Sequence, residues 1–471
     1  MKVEQIYTGC LAHAAYYIEN NGEAAIIDPL REVEPYIKRA KLDDAKIKYV
    51  FETHFHADFV SGHLELKEKT GANIVYGPTA KPGYEAIVAE DGQVFEVGNY
   101  KVKVIHTPGH TMESTTYLLI DENGKEHGIA TGDTLFIGDV GRPDLAQKVV
   151  AELTQDKLAA LLYHSLRDKI MPLSDDLIIY PNHGAGSACG KNMSKETTDT
   201  LGHQKEVNYA LRADMTKEEF IEELLDGLTE PPGYFPQNVM MNIKGYESFD
   251  KVMSKSHKPL NPKAFEAAAN ETDAIILDIR HQSEYIKGHI PRSIFIGING
   301  DFAPWVGALI VDVNQPILLV SPENRLEEAI TRLSRVGFDN VLGYLEGGFE
   351  NWKTSGMEYD TLTSIASEEF AKTYSEHKDV VFDVRREGEY KAEHIEGAKN
   401  TPLDYLNNYL SEFPDDQTFY VHCAGGYRSV IAASILKSRG IHNLIDIAGG
   451  FSAIKNTNIP RTAYVCPSTV N

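Results

Sequence analysis

The chain has few cysteines, a deficit of positive charge and no long apolar run, and each shortage removes a class of protein. Only four of its 471 residues are cysteines, Cys10, Cys189, Cys423 and Cys466. They lack paired spacing, so no disulfide framework is expected and free thiols are the default. Lysine and arginine total 46 against 69 acidic residues, a net charge of −23, and such a surface repels nucleic acid and anionic membranes. No apolar run approaches the roughly 18 residues of a membrane span. Met1–Asn20 is broken by Lys2, Glu4 and Glu19, so no signal peptide is expected and the expected location is cytoplasmic. Otherwise the composition is ordinary for a globular protein, and the length suits about three domains.

Short apolar runs alternate with amphipathic stretches. Ala24–Asp28, Lys46–His54, Lys101–His106, Thr115–Ile120, His127–Thr131 and Leu177–Pro181 read as strands, and Ala151–Leu166 and Lys217–Leu228 as helices. Ligand-type residues collect where these strands end: His54, His110, Asp133 and His183. Strand ends of layered α/β folds are where loops converge on one site. A break at Pro231–Pro236 and a polar stretch at Lys251–Pro262 close a first domain at residues 1–250.

Residues 53–59 read Thr-His-Phe-His-Ala-Asp-Phe and offer His54, His56 and Asp58. Beyond them stand His110 in Thr-Pro-Gly-His-Thr, Asp133 in Thr-Gly-Asp-Thr and His183 in Pro-Asn-His-Gly. These residues and their order resemble the metallo-β-lactamase superfamily, which implies an αββα sandwich over roughly residues 1–250. Members that hydrolyse thioesters hold two metals, with a histidine directly after the aspartate of the first motif. Phe59 stands there in this chain and has no lone pair to donate. A second ion would keep Asp58 and His183, with Asp133 as a possible bridge, which is thin for zinc. One metal is expected. Two histidines and a carboxylate with open positions are the donor set of non-haem Fe(II) oxygenases, although patterning alone does not choose iron over zinc.

Thr131–Leu145 and Pro181–Lys191 are similar to the persulfide dioxygenases, a mononuclear Fe(II) branch of that superfamily that oxidises a low-molecular-weight persulfide to sulfite. The resemblance implies one Fe(II) on His54, His110 and Asp133. His56, Asp58 and His183 become supporting residues or alternative metal ligands. Arg142, nine residues past Asp133, is a candidate clamp for a substrate carboxylate, with a salt bridge to Asp139 or Asp144 as the alternative. Cys189, in the glycine-rich loop after His183, is a candidate substrate-side thiol, with plain burial as the alternative.

After residue 250 the chain repeats itself. Leu277-Asp278-Ile279-Arg280, Glu284-Tyr285 and His289-Ile290 recur as Phe382-Asp383-Val384-Arg385, Glu389-Tyr390 and His394-Ile395, and each copy closes on Gly-Gly-Phe. A period this long implies two tandem copies of a small α/β domain, at 251–360 and 361–471. In the second copy an apolar strand ends at His422-Cys423-Ala424-Gly425-Gly426-Tyr427-Arg428-Ser429, ahead of a helix. A cysteine there meets free backbone N–H groups and the positive end of a helix dipole, and both favour a thiolate. The glycines let several amides turn towards one anion, and Arg428 adds a fixed charge.

The four residues between Cys423 and Arg428, with the Asp383-Val384-Arg385 and His394–Ala398 motifs, resemble the rhodanese sulfurtransferases. That implies α/β domains with parallel sheets and a persulfide carried on Cys423. The first copy has Val320-Ser321-Pro322-Glu323-Asn324-Arg325 where the loop belongs. With no cysteine and an expected stretch about two residues shorter, it is a degenerate domain. The layout resembles fusions of a persulfide dioxygenase with one degenerate and one active rhodanese domain, implicated in sulfide detoxification. It implies a glutathione or coenzyme A persulfide, O2 and sulfite or thiosulfate as small-molecule partners, and a homo-oligomer. A glyoxalase II-like zinc thioester hydrolase is the alternative.

Overall fold

The computed structural model describes residues 1–145, 154–322, 324–377 and 380–466. The chain divides into two compact units, Met1–Lys251 with Ser334–Gly337, and Val252–Leu333 with Phe338–Asn471.

The first unit is built on two six-stranded sheets. One runs Val3–Thr8, His13–Asn20, Glu23–Ile27, Lys46–Phe51, Asn73–Tyr76 and Ile87–Val88. The other runs Asp199–Thr200, Ile178–Pro181, Glu126–Gly132, Thr115–Ile120, Tyr100–His106 and Val94–Val97. Alternating side chains of both sheets, among them Tyr16, Ile27, Phe51, Val102, Tyr117 and Ala130, fill one core between them. The outer face of the second sheet packs under helices Gln155–His164 and Lys217–Leu225. Helix Glu34–Leu42 covers the outer face of the first. Helix, sheet, sheet, helix is the expected sandwich.

The strands match their expected ranges to within three residues, because short apolar runs rich in β-branched residues define them. The helix expected over Ala151–Leu166 is observed as Gln155–His164, capped by the Thr154 hydroxyl on Lys157 N, with 151–153 outside the described residues. It then continues as a wider-pitched turn, Ser165–Ile170.

The second unit holds two five-stranded sheets of identical order. They run Pro259–Leu260, Val341–Leu345, Ile317–Val320, Ile275–Asp278, Ile294–Phe295, and Ser364–Ala366, Leu444–Ala448, Phe419–His422, Val380–Asp383, Lys399–Asn400. Every strand pair in both is parallel. The repeated motifs make the same contacts in each copy. Arg280 Nε and Nη2 donate to Asp278 at 2.9 and 2.6 Å and Nη2 to Gly288 O. Arg385 does the same to Asp383 at 2.9 and 2.6 Å and to Glu393 O. Tyr285 stacks on His289 with centroids 4.0 Å apart, and Tyr390 on His394 at 3.7 Å. The Asp-x-Arg motif is thus a buried ion pair that ties a strand end to the next loop.

Removing one partner of such a pair strands the other. Asp278→Ala should lower the stability of the middle domain by about 3–5 kcal/mol. The only two tryptophans, Trp305 and Trp352, lie in this domain, so tryptophan fluorescence during urea unfolding reads the loss directly.

Candidate metal centre and sulfur-transfer loop

His54, His110 and Asp133 come together at the strand ends of the first unit. Their donor atoms form one buried group that can hold a metal ion. Asp133 Oδ2 lies 3.9 Å from His54 Nε2 and 3.4 Å from His110 Nε2. The two imidazoles stand perpendicular, 4.8 Å between centroids. Each has its other nitrogen engaged: His110 Nδ1 donates to the Arg142 carbonyl at 2.8 Å, and His54 Nδ1 meets Thr53 Oγ1 at 3.0 Å. That fixes the tautomers and leaves the Nε2 lone pairs facing Asp133. Burial, with His56 and His110 nearby, holds the His54 pKa well below the ordinary imidazole range, so the ring is neutral, the form that ligates. Both Asp133 oxygens are buried without a hydrogen-bond partner. An orphaned buried carboxylate facing two imidazole lone pairs fits a divalent cation.

His56 does not join that group. Its Nε2 sits 3.0 Å from Asp28 Oδ1 and 3.1 Å from Glu52 Oε2, and its Nδ1 faces the Asn182 amide at 3.3 Å. Burial opposes a charge on this ring, but the two carboxylates outweigh it and raise its pKa well above the usual value. Asp28 and Glu52 are supporting residues that sequence reasoning missed. The available signal was position, since Asp28 ends an expected strand and Glu52 precedes the first motif. His13 was missed as well: it is fully buried beside His183 and Phe59, in a strand with no motif to mark it.

Asp58 and His183 form a second group with Cys189. His183 Nε2 lies 3.4 Å from Asp58 Oδ2 and 3.6 Å from Asp133 Oδ1. The two oxygens of Asp133 therefore face different groups. The expectation that a second position would keep only Asp58 and His183 is corrected, because the loop after His183 brings the Cys189 thiol in as a third donor. Burial, then Asp58 and Asp133, push that thiol well above its ordinary pKa. Phe59 is fully buried, its ring stacked on His56 at 4.3 Å.

Arg142, expected as a clamp on a substrate carboxylate, is committed elsewhere. Its guanidinium donates to both oxygens of Asp144 at 2.7 Å and to the Ala188 and Thr229 carbonyls. It is buried, and an aspartate two residues away satisfies it at lower entropic cost than a ligand. Its backbone carbonyl, which orients His110, is what reaches the metal group.

In the second unit, strand Phe419–His422 delivers Cys423, and helix Arg428–Ser438 starts five residues later. The Gly426 N–H donates to Cys423 Sγ at 3.1 Å, from a left-handed φ of 89° that suits glycine. Arg428 forms a two-bond pair with Glu389, at 2.6 and 2.8 Å. A cavity of about 300 Å³ over the sulfur is lined by Asp301, Trp305, Arg386, Glu389, Cys423, Gly425, Tyr427 and Arg428. Ala424 and Ser429 complete the loop and first turn without lining it. In the middle domain strand Ile317–Val320 and helix Leu326–Arg335 leave the same five-residue gap. The expected two-residue shortening is therefore wrong, and Ser321 stands in the register of Cys423. Glu323 of that loop lies outside the described residues.

Residues 8–183 match the model of the metallo-β-lactamase superfamily, and residues 261–355 and 366–457 match that of the rhodanese-like domain. A solved metallo-β-lactamase from Staphylococcus aureus is 32% identical, with a TM-score of 0.64, and the likeness covers 73% of this chain and 98% of that one. A probable hydroxyacylglutathione hydrolase of Schizosaccharomyces pombe is 28% identical over 204 residues, 42% of this chain and 74% of that protein. The hydroxyacylglutathione hydrolase GloC of Haemophilus influenzae is 28% identical over 195 residues, 37% of this chain and 85% of that protein.

Gly141 lies against the metal group, its N–H donating to Asp133 O at 3.0 Å. A Cβ there would meet Asp133 O at 2.1 Å and His110 Nδ1 at 2.9 Å. Gly141→Ala should displace the Asp133 backbone and weaken metal binding at least about 10- to 100-fold, measured by titrating the apoprotein with the metal against a competing chelator.

Proposed function

We propose, for a chain that belongs to the metallo-β-lactamase superfamily and carries two rhodanese-like domains behind it, a two-step oxidation and transfer of sulfane sulfur. The first unit oxidises a low-molecular-weight persulfide with O2 to sulfite: RSSH, O2 and H2O give RSH, sulfite and two protons. His54, His110 and Asp133 hold one Fe(II), which supplies the redox chemistry when bound. Around it, Thr53 and the Arg142 carbonyl keep the two imidazoles in register, and Asp28 and Glu52 hold His56 away from the ion.

In the second unit Cys423 carries sulfane sulfur. Sulfite attacks the outer sulfur of the Cys423 persulfide, the S–S bond breaks, thiosulfate leaves and the cysteine returns as thiolate. The reverse direction uses the same atoms. Joining the two activities in one chain raises the concentration of sulfite available to Cys423. The observation that carries this reading is the Cys423 loop itself. A cysteine at a strand end, with an amide on its sulfur and a cavity above it, handles sulfur, and it shares a chain with a two-histidine, one-aspartate metal group.

The names of the curated relatives favour a second reading, hydrolysis of a glutathione thioester, for which a divalent metal held by His54, His110 and Asp133 would supply activation of water. Oxygen uptake separates the two. Iron-loaded protein given glutathione persulfide should consume O2 and release sulfite. Cys423→Ser should keep both while losing thiosulfate formation, and His110→Ala should lower O2 uptake at least about 100-fold. Zinc in the purified protein, no O2 uptake and rapid cleavage of S-lactoylglutathione would establish the hydrolase instead.

A further inference from the structure

The middle domain has lost its cysteine, yet it is built against the loop that carries Cys423. Tyr427 of that loop donates its hydroxyl to Gly297 O at 2.7 Å and meets Phe295 edge-on with centroids 5.9 Å apart. Its ring lies on Gly300, where a Cβ would stand 2.4 Å from Tyr427 Cζ, and beside Gly297, where a Cβ would meet Phe295 Cζ at 2.9 Å, Arg280 O at 3.0 Å and Tyr427 Cε2 at 3.2 Å. Nearby, Phe295 N donates to Ser434 Oγ, and Lys437 pairs with Asp360 at 2.8 Å. The active loop is thus seated in a cradle that only glycine permits.

The same domain lines the cavity over the sulfur, through Asp301 and Trp305. Trp305 is buried and gives an apolar wall. Asp301 precedes helix Phe302–Leu309, but its carboxylate makes no cap bond to that helix. Across the cavity Arg428 is neutralised by Glu389. Arg386, exposed and 3.7 Å from Asp404, is the cation left to meet a ligand. A small dianion entering here meets a carboxylate and an already paired arginine. A thiol compound with one ammonium and one carboxylate finds a partner for each, with its carbon stem on the indole.

We propose that the degenerate domain is part of the sulfur-transfer site, and that Asp301 and Trp305 select amino-acid-like persulfides, bearing an α-ammonium and a carboxylate, over inorganic thiosulfate. This rests on the reading of Cys423 as the sulfur carrier. In loading, the Cys423 thiolate attacks the outer sulfur of R–S–SH. The donor S–S bond breaks, R–S⁻ leaves, the proton stays on the transferred sulfur, and no net oxidation occurs.

The test uses the full chain with cysteine persulfide and thiosulfate as donors, reading the Cys423 persulfide by mass spectrometry after rapid quenching. The wild type should load faster from cysteine persulfide, and Asp301→Asn should lower the ratio of the two second-order rates about tenfold, the worth of one charge-assisted contact. Trp305→Ala should raise KM for cysteine persulfide with little change in kcat, which a general loosening of the loop would not do. A ratio unchanged in Asp301→Asn overturns the proposal, even where both rates fall together. A wild type that takes sulfur from neither donor overturns the carrier reading itself, and so the two failures are told apart.

Discussion

Asp28 is the carboxylate on which the metal end of the first unit depends. It sits at the end of strand Glu23–Ile27 with a left-handed φ of 49°, which turns it towards the next strand end. It accepts from Thr53 N at 2.8 Å and Thr53 Oγ1 at 2.9 Å, and it faces His56 Nε2. A buried carboxylate without such partners costs several kcal/mol, so the loop holding His54, His56 and Asp58 is fastened by the need to satisfy this one group. Thr53 carries the restraint outward. Its hydroxyl meets His54 Nδ1, and its carbonyl accepts from Thr115 N of the second sheet. Gly132, beside Asp133, leaves no room for a side chain against Thr53. The ends of both sheets are thereby held in register, and His54, His110 and Asp133 converge from three different loops.

Much of this was legible, and for physical reasons. Thr115–Ile120 occupies the range its pattern predicted because alternating side chains face two different packed surfaces. The metal residues declared themselves by type and by their place at strand ends. The supporting carboxylates did not, because Asp28 and Glu52 are single acidic residues whose meaning appears only when a strand neighbour sets them beside His56. Arg142 misled for a related reason. Spacing placed it near the site, but a side chain in a tight turn has first access to the nearest carboxylate, here Asp144. The loop after Val320 was expected about two residues shorter than that of Cys423, but strand and helix leave the same five residues, which differ in their side chains.

The tandem domains show which part of a motif is architecture and which is chemistry. Both copies retain the Asp-x-Arg pair and the stacked tyrosine and histidine, since these hold a strand end to its neighbour whatever the loop does. The segment between strand and helix differs, and so does the stretch before it, a helix Phe302–Leu309 in one copy and short 3-10 turns Leu403–Asn408 and Leu410–Glu412 in the other. The middle domain keeps a full core, with Phe265, Leu318, Phe349 and Trp352 buried, although Ser321 cannot hold sulfur. Its Gly300 leaves room where Tyr427 lies, and Gly297 leaves room both for Tyr427 and for Phe295 and the Arg280 carbonyl of its own domain. Retained architecture and a surface shaped to the neighbouring loop explain together why a domain without its own nucleophile stays folded beside one that has it.

Phe59 removes a ligand from the first motif, and its surroundings show what a phenyl ring contributes there. It stacks on His56 and meets His13 edge-on at 4.3 Å, with no polar group of its own to satisfy. His56 is held as a cation by Asp28 and Glu52, and an aromatic face is a favourable neighbour for a cation. A histidine in this place would bring a third imidazole against His56 and His13 and take away the phenyl face on which His56 stacks. The phenyl ring therefore keeps the His56, Asp28 and Glu52 cluster intact, and that cluster holds the metal loop. The cost is one donor near Asp58 and His183, and Cys189 supplies a softer one from the opposite loop. The character of the second group is thus set by a thiol in place of an imidazole.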